Sequence, residues 1–112
     1  MSTPAYTAPA TLEDALSIKG SYRADARVIA GGTDLILRMR DRVYSPKMLL
    51  DLRRLALNTM SSHNGEMHLG AYLSHAQILA SSELAAVFPA LVEACRPFAG
   101  PPIRNRGTVG GN

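Results

Sequence analysis
The sequence predicts an α/β fold, a small parallel β-α-β sheet flanked by helices with a β-hairpin added, and three observations predict it. The apolar, β-branched run Arg27-Val28-Ile29-Ala30 leads directly into Gly31-Gly32 and then into a helical pattern. A second apolar run, Met48 to Leu52, follows Pro46 and reads as a strand parallel to the first, because a helix intervenes. Asn64-Gly65 then separates two extended segments, the strongest short-range hairpin signal. With 112 residues, 46% hydrophobic and 19% charged, the chain has the composition of a globular domain and the length for one core.

Taken in order, residues 1–10 form a short lead-in rich in Ser, Thr, Pro and Ala. Thr11-Leu12-Glu13-Asp14 opens a helix, since the threonine oxygen satisfies free N–H groups and the early acids complement the dipole; Gly20 is expected to close it. Val28 and Ile29 belong to a short buried strand. Thr33-Asp34 is expected to cap the next helix, with Leu35, Ile36 and Met39 inward and Arg38, Arg40, Asp41 and Arg42 outward. After the hairpin, Ser74 and Ser82 are read as caps of two helices, the second carrying Leu84, Ala85, Val87, Phe88, Leu91, Val92 and Cys95. Pro97, Gly100, Pro101 and Pro102 are read as its end.

Charge and cysteine content narrow the function classes. The net charge of +3 is mild, and only 5% of residues are aromatic, so the interleaved aromatic and basic pattern of single-strand nucleic-acid binders is missing. The expectation is no nucleic-acid partner. The one cysteine, Cys95, excludes an internal disulfide and is read as a buried thiol of a cytoplasmic protein. Residues 1–10 lack the basic start and apolar core of a signal peptide, and the apolar stretch from Leu84 to Cys95, interrupted by Pro89 and Glu93, is too short for a membrane span. His63, His68 and His75 show no metal-ligand spacing, so no metal site is expected.

Two glycine turns carry the chemistry: Ile29-Ala30-Gly31-Gly32-Thr33-Asp34-Leu35 and Thr108-Val109-Gly110-Gly111-Asn112, the latter preceded by Ile103-Arg104-Asn105-Arg106-Gly107. Glycine takes positive φ and lets peptide N–H groups approach phosphate oxygens closely. Two such turns fit a clamp around one extended dinucleotide; the plainer reading of the first is a tight strand-to-helix corner. Neither a Walker motif nor the spaced-glycine Rossmann fingerprint is present. Thr108, Gly110, Gly111 and Asn112 offer a hydroxyl, two amides and a side-chain amide on one stretch. Gly110-Gly111-Asn112 feeds no further element, so the domain spanning residues 1–112 is expected to be cut short at its second glycine loop.

In both turns the chain resembles the FAD-binding medium subunit of molybdenum hydroxylases, the family of the carbon monoxide dehydrogenase medium subunit and the xanthine dehydrogenase FAD-binding subunit. The resemblance spans nearly the whole chain: Tyr6 and Pro9 before a Leu-Glu-Asp-Ala-Leu helix, Leu50-Asp51-Leu52 after Pro46, Leu69-Gly70-Ala71 before Ser74-His75-Ala76, and Pro89-Ala90-Leu91. It implies the N-terminal part of a PCMH-type FAD-binding domain, with Ile29 to Leu35 and Thr108 to Asn112 as the diphosphate loops. It further implies a flavin that passes electrons from iron–sulfur clusters to NAD or another acceptor, in an oxidoreductase with a molybdopterin-binding large subunit and a 2Fe-2S small subunit as partners. The alternative is a non-catalytic truncated remnant that folds or docks on partner subunits without binding FAD.

Overall fold
The computed structural model describes residues 3–97 and 99–111. The chain divides into two compact units, Met1–Leu57 and Asn58–Asn112. The first unit holds a three-stranded, all-parallel sheet of β1 (Ala5–Thr7), β2 (Ala26–Ile29) and β3 (Met48–Asp51), in the order β1-β3-β2. Helix α1 (Leu12–Tyr22) joins β1 to β2, and α2 (Leu35–Arg40) joins β2 to β3. The predicted β-α-β unit is therefore β2-α2-β3, with Ala26 opposite Met48 and Ile29 opposite Asp51.

The central strand takes most of the burial. Leu49, Leu50 and Asp51 are buried in β3, and Ala15 of α1, Ala26 of β2 and Met39 of α2 are buried in the same unit. β2 differs from its sequence reading: it is an edge strand, and Val28 is 44% exposed. β1 was hidden in the polar lead-in because three residues flanked by prolines carry no periodicity. It is pinned by the Ala5 amide donating to the Lys47 carbonyl at 2.9 Å and by its register along β3.

Helix α1 starts as its sequence dictates, with the Thr11 hydroxyl accepting from the Asp14 amide at 3.1 Å. It does not stop at Gly20. It runs on to Tyr22 and is closed by Arg23, which takes the positive φ (51°) usual for a glycine there and donates its amide to the Lys19 carbonyl; the Lys19 ammonium bonds the Arg23 and Ala26 carbonyls beyond the helix end at 2.7 and 2.6 Å.

In the second unit, β4 (Met60–His63) and β5 (Glu66–Leu69) form the predicted hairpin, and Asn64 and Gly65 both take the positive φ that a two-residue turn requires (50° and 79°). Four short helices follow: α3 (His75–Ala80), α4 (Ser82–Val87), α5 (Pro89–Cys95) and α6 (Pro101–Arg106). Ile78, Leu84, Val92 and Cys95 form the core, with Met60, Met67 and Leu69 of the hairpin packed against it. Ser74 caps α3 in a full capping box with Gln77.

Three helix readings are corrected. The cap of α4 is Ser81, not Ser82, its hydroxyl accepting from the Leu84 amide at 3.1 Å. The long helix expected through Cys95 is broken at Phe88, because a residue before proline is pushed out of the helical region while Pro89 suits a first helical position. Val87 and Phe88 are consequently 56% and 49% exposed instead of core. Pro101 and Pro102 open α6 for the same reason and do not merely end what precedes, so Ile103 to Arg106 are helical and the second glycine loop begins at Gly107.

Candidate functional site
The first glycine loop leaves β2 at Ile29 and enters α2 at Leu35. It therefore lies at the carboxyl edge of a parallel sheet, where open α/β sheets bind their ligands. Gly32 has φ +76°, and a Cβ there would sit 3.2 Å from Ile36 Cγ1 and 3.6 Å from Ile29 Cδ1. Ile36, expected to point into the core, lies beside this glycine and is 47% exposed. The Gly32 carbonyl accepts from the Ile36 amide at 3.3 Å, whereas no bond is made by the amides of Gly31, Gly32 or Thr33 among the described residues. These are free donors on consecutive residues around a positive-φ glycine, the arrangement that forms an anion-binding concavity.

Asp34 does not cap α2 as expected. Its carboxylate makes no bond to the helix amides and instead accepts from Arg38 Nε at 2.7 Å. The Arg38 guanidinium lies 5.8 Å from the Tyr44 ring centroid, and Arg27 stacks on the same ring at 3.8 Å. The pairing with Asp34 pushes the Arg38 pKa up further still.

A polar cluster that sequence reasoning gave no role closes the end of the central strand. Asp51 is 8% exposed, and its carboxylate accepts from the Tyr6 hydroxyl at 2.6 Å and from the Arg53 amide at 2.9 Å, with Arg53 Nε at 3.8 Å. The bond to Asp51 holds the Tyr6 hydroxyl above its ordinary pKa. An acid ending an apolar strand was the available signal, since a buried carboxylate needs partners.

The second glycine loop is built differently. Thr108 is buried and bridges Ser74 in antiparallel fashion; the Val109 amide donates to the Leu73 carbonyl at 2.9 Å and the His75 amide to the Gly107 carbonyl at 3.2 Å. The Gly110 amide donates to the Ala71 carbonyl at 2.8 Å, and the Gly111 amide to Thr108 Oγ1 at 3.1 Å. Both glycine amides expected to face a ligand are thus spent, that of Gly110 on the strap to residues 71–75 and that of Gly111 within the loop. Glycine at 110 serves close approach: a Cβ there would lie 2.8 Å from Ala71 Cβ. Asn112 lies outside the described residues.

His75, noted in sequence only for its lack of metal-ligand spacing and as a point of family resemblance, is buried and holds this loop twice. Besides its amide, its Nδ1 lies 3.0 Å from the Gly107 carbonyl. A carbonyl only accepts, so Nδ1 carries the hydrogen. His63 and His68 lie near each other across the hairpin, ring centroids 6.4 Å apart. Among the described residues no group of three or more His, Cys, Asp or Glu side chains is placed to hold a metal, and no helix is long and apolar enough to cross a membrane.

Residues 2–112 match the family described as the FAD binding domain in molybdopterin dehydrogenase. The chain belongs to that family. It is 32% identical over 108 residues to the carbon monoxide dehydrogenase medium chain of Hydrogenophaga pseudoflava, a match that covers 96% of this chain and 38% of that one. Identity to the nicotinate dehydrogenase FAD-subunit of Eubacterium barkeri is 34% over 109 residues, covering 96% and 37%. Among solved structures, the carbon monoxide dehydrogenase from H. pseudoflava that lacks the Mo-pyranopterin moiety matches with a TM-score of 0.93 at 32% identity, over 98% of this chain and 39% of that one. Quinoline 2-oxidoreductase from Pseudomonas putida 86 matches with a TM-score of 0.91, also at 32% identity and over the same shares. The FAD-binding domain described here thus spans about two fifths of the length of these relatives.

FAD is the cofactor of this domain family, as the resemblance implied. The first loop fits it. A diphosphate only accepts hydrogen bonds, and Gly31, Gly32 and Thr33 present amides with no other described acceptor.

Proposed function
We propose that this chain forms part of the FAD site in the flavin subunit of a molybdenum-containing oxidoreductase. The free amides of Gly31, Gly32 and Thr33 carry the reading, in a chain whose family is defined by FAD binding. They donate to the diphosphate, and the Thr33 hydroxyl adds a further donor. Ile29, Ala30, Asp34 and Leu35 shape the loop on either side. Thr108, Val109, Gly110, Gly111 and Asn112 form the second contact region. In this loop the strapped backbone supplies a fixed, side-chain-free surface and the Thr108 hydroxyl retains its own hydrogen to donate, because its oxygen accepts from Gly111.

What FAD supplies when bound is redox chemistry, a route for electrons from iron–sulfur clusters to NAD or another acceptor. The residues of this chain bind and orient; none acts as an acid or base. In this reading the partners are a molybdopterin-binding large subunit and a 2Fe-2S small subunit, and the assembly is cytoplasmic, in keeping with a single, buried, unpaired Cys95.

Gly32→Val tests the assignment. A β-branched residue at φ +76° strains the loop and moves its amides, so FAD affinity should fall by about tenfold or more while the far-ultraviolet circular dichroism is kept. Unchanged FAD affinity in the folded variant refutes the role of this loop.

A further inference from the structure
An aspartate directly after a diphosphate-binding turn poses an electrostatic problem. The Asp34 carboxylate carries the same sign as the ligand proposed above, and Asp is among the residues that most readily bond the free amides at the start of a helix. A carboxylate bonded there would occupy the donors that a phosphate needs. In this structure it is bonded elsewhere, to Arg38 Nε at 2.7 Å, one helical turn along α2.

Arg38 is in turn held from a second side. Its guanidinium lies over Tyr44, whose ring is stacked on its other partner by Arg27 of β2. The Arg38 carbonyl accepts from the Val43 and Tyr44 amides at 2.8 and 3.3 Å, fixing the segment that carries the ring. Residues of the strand before the loop and of the helix after it thus meet on one ring, that of Tyr44 in the connection beyond.

We propose that Arg38 is a positioning residue for the FAD loop, holding the Asp34 carboxylate away from the Gly31, Gly32 and Thr33 amides and cancelling its charge. This rests on the FAD reading above and goes beyond it: the Asp34–Arg38 pair keeps the loop open to an anion. Arg38 touches no ligand in this scheme. Both side chains are substantially exposed, 47% for Arg38 and 66% for Asp34, so neither substitution removes core packing.

The test is a four-variant cycle read by titration of the chain with FAD and with ADP at low ionic strength and neutral pH. Arg38→Met frees the carboxylate and should weaken both ligands by about fivefold, the scale of one exposed charge interaction. Arg38→Lys preserves the charge and should stay within about twofold. Asp34→Asn alone removes a like charge beside the diphosphate and should tighten both ligands by about twofold, and the Arg38→Met/Asp34→Asn double variant should bind about fivefold more tightly than Arg38→Met. Loss in Arg38→Met that Asp34→Asn does not restore means that Arg38 meets the phosphates itself and overturns the proposal, as does full affinity in Arg38→Met. Failure of the unaltered chain to bind either ligand overturns the FAD reading as well, which separates the two failures.

Discussion
At the residue scale, the chain depends on a few polar side chains whose partners are far away in sequence. Asp51 ends a buried strand, and its carboxylate is held in place by Tyr6, 45 residues earlier, and by the Arg53 amide. The bond to Asp51 raises the Tyr6 pKa, so the protonated phenol is favoured in the folded state. The sign follows from linkage: a group whose folded pKa is raised adds stability below its unfolded value, near 10, and that stability is lost as pH climbs through the folded value. Tyr6→Phe should therefore be less stable than the unaltered chain in urea unfolding at neutral pH, and the gap should narrow as pH rises past the ordinary tyrosine value near 10. A gap that is unchanged at alkaline pH would show that the ring's packing, not its hydroxyl, provides the stability. Tyr6 and Asp51 each stood out in sequence only as points of family resemblance, because nothing local in either residue encodes a partner so distant.

At the scale of elements, the two glycine loops look alike in sequence and are built on different principles. In the first, Gly32 supplies a positive φ and it and its neighbours keep free amides; in the second, Gly110 supplies close approach and the amides of Val109 and Gly110 are spent on residues 71–75. Adding one methyl at 110 should force apart backbone that is already in contact, since its Cβ would meet Ala71 Cβ at 2.8 Å and the Ala71 carbonyl at 3.0 Å. Gly110→Ala should cost about 1–3 kcal/mol in chemical unfolding, the scale of overpacking. A neutral result would show that the strap of residues 107–111 is not tight. The elements legible in sequence were those with local signals: the Thr11 and Ser74 caps, the Asn64-Gly65 turn, and the β2-α2-β3 order. Those that were not legible depended on distant chain. β1 exists because β3 pairs with it, Arg23 and not Gly20 closes α1, Pro89 starts a new helix within the one expected to run through Cys95, and Pro101 and Pro102 begin a helix where they were read as an end. The site followed the same division. Gly31 to Thr33 announced itself through composition, whereas the buried His75 and its double hold on Gly107 came from residues 32 positions apart.

At the scale of the whole molecule, family and fold agree: residues 2–112 match an FAD-binding domain family, and solved relatives superpose with TM-scores of 0.91 and above over 98% of the chain. The central claim is that this stretch of chain already recognises the diphosphate of FAD through its own backbone. Titration of the purified chain with FAD, followed by flavin fluorescence quenching, tests it most directly when FMN and ADP are run beside it. FAD and ADP share the diphosphate and FMN lacks it, so the account predicts saturable binding of FAD, displacement by ADP, and weaker binding of FMN. A chain that is folded by circular dichroism but binds none of the three, or that binds FMN as tightly as FAD, contradicts it.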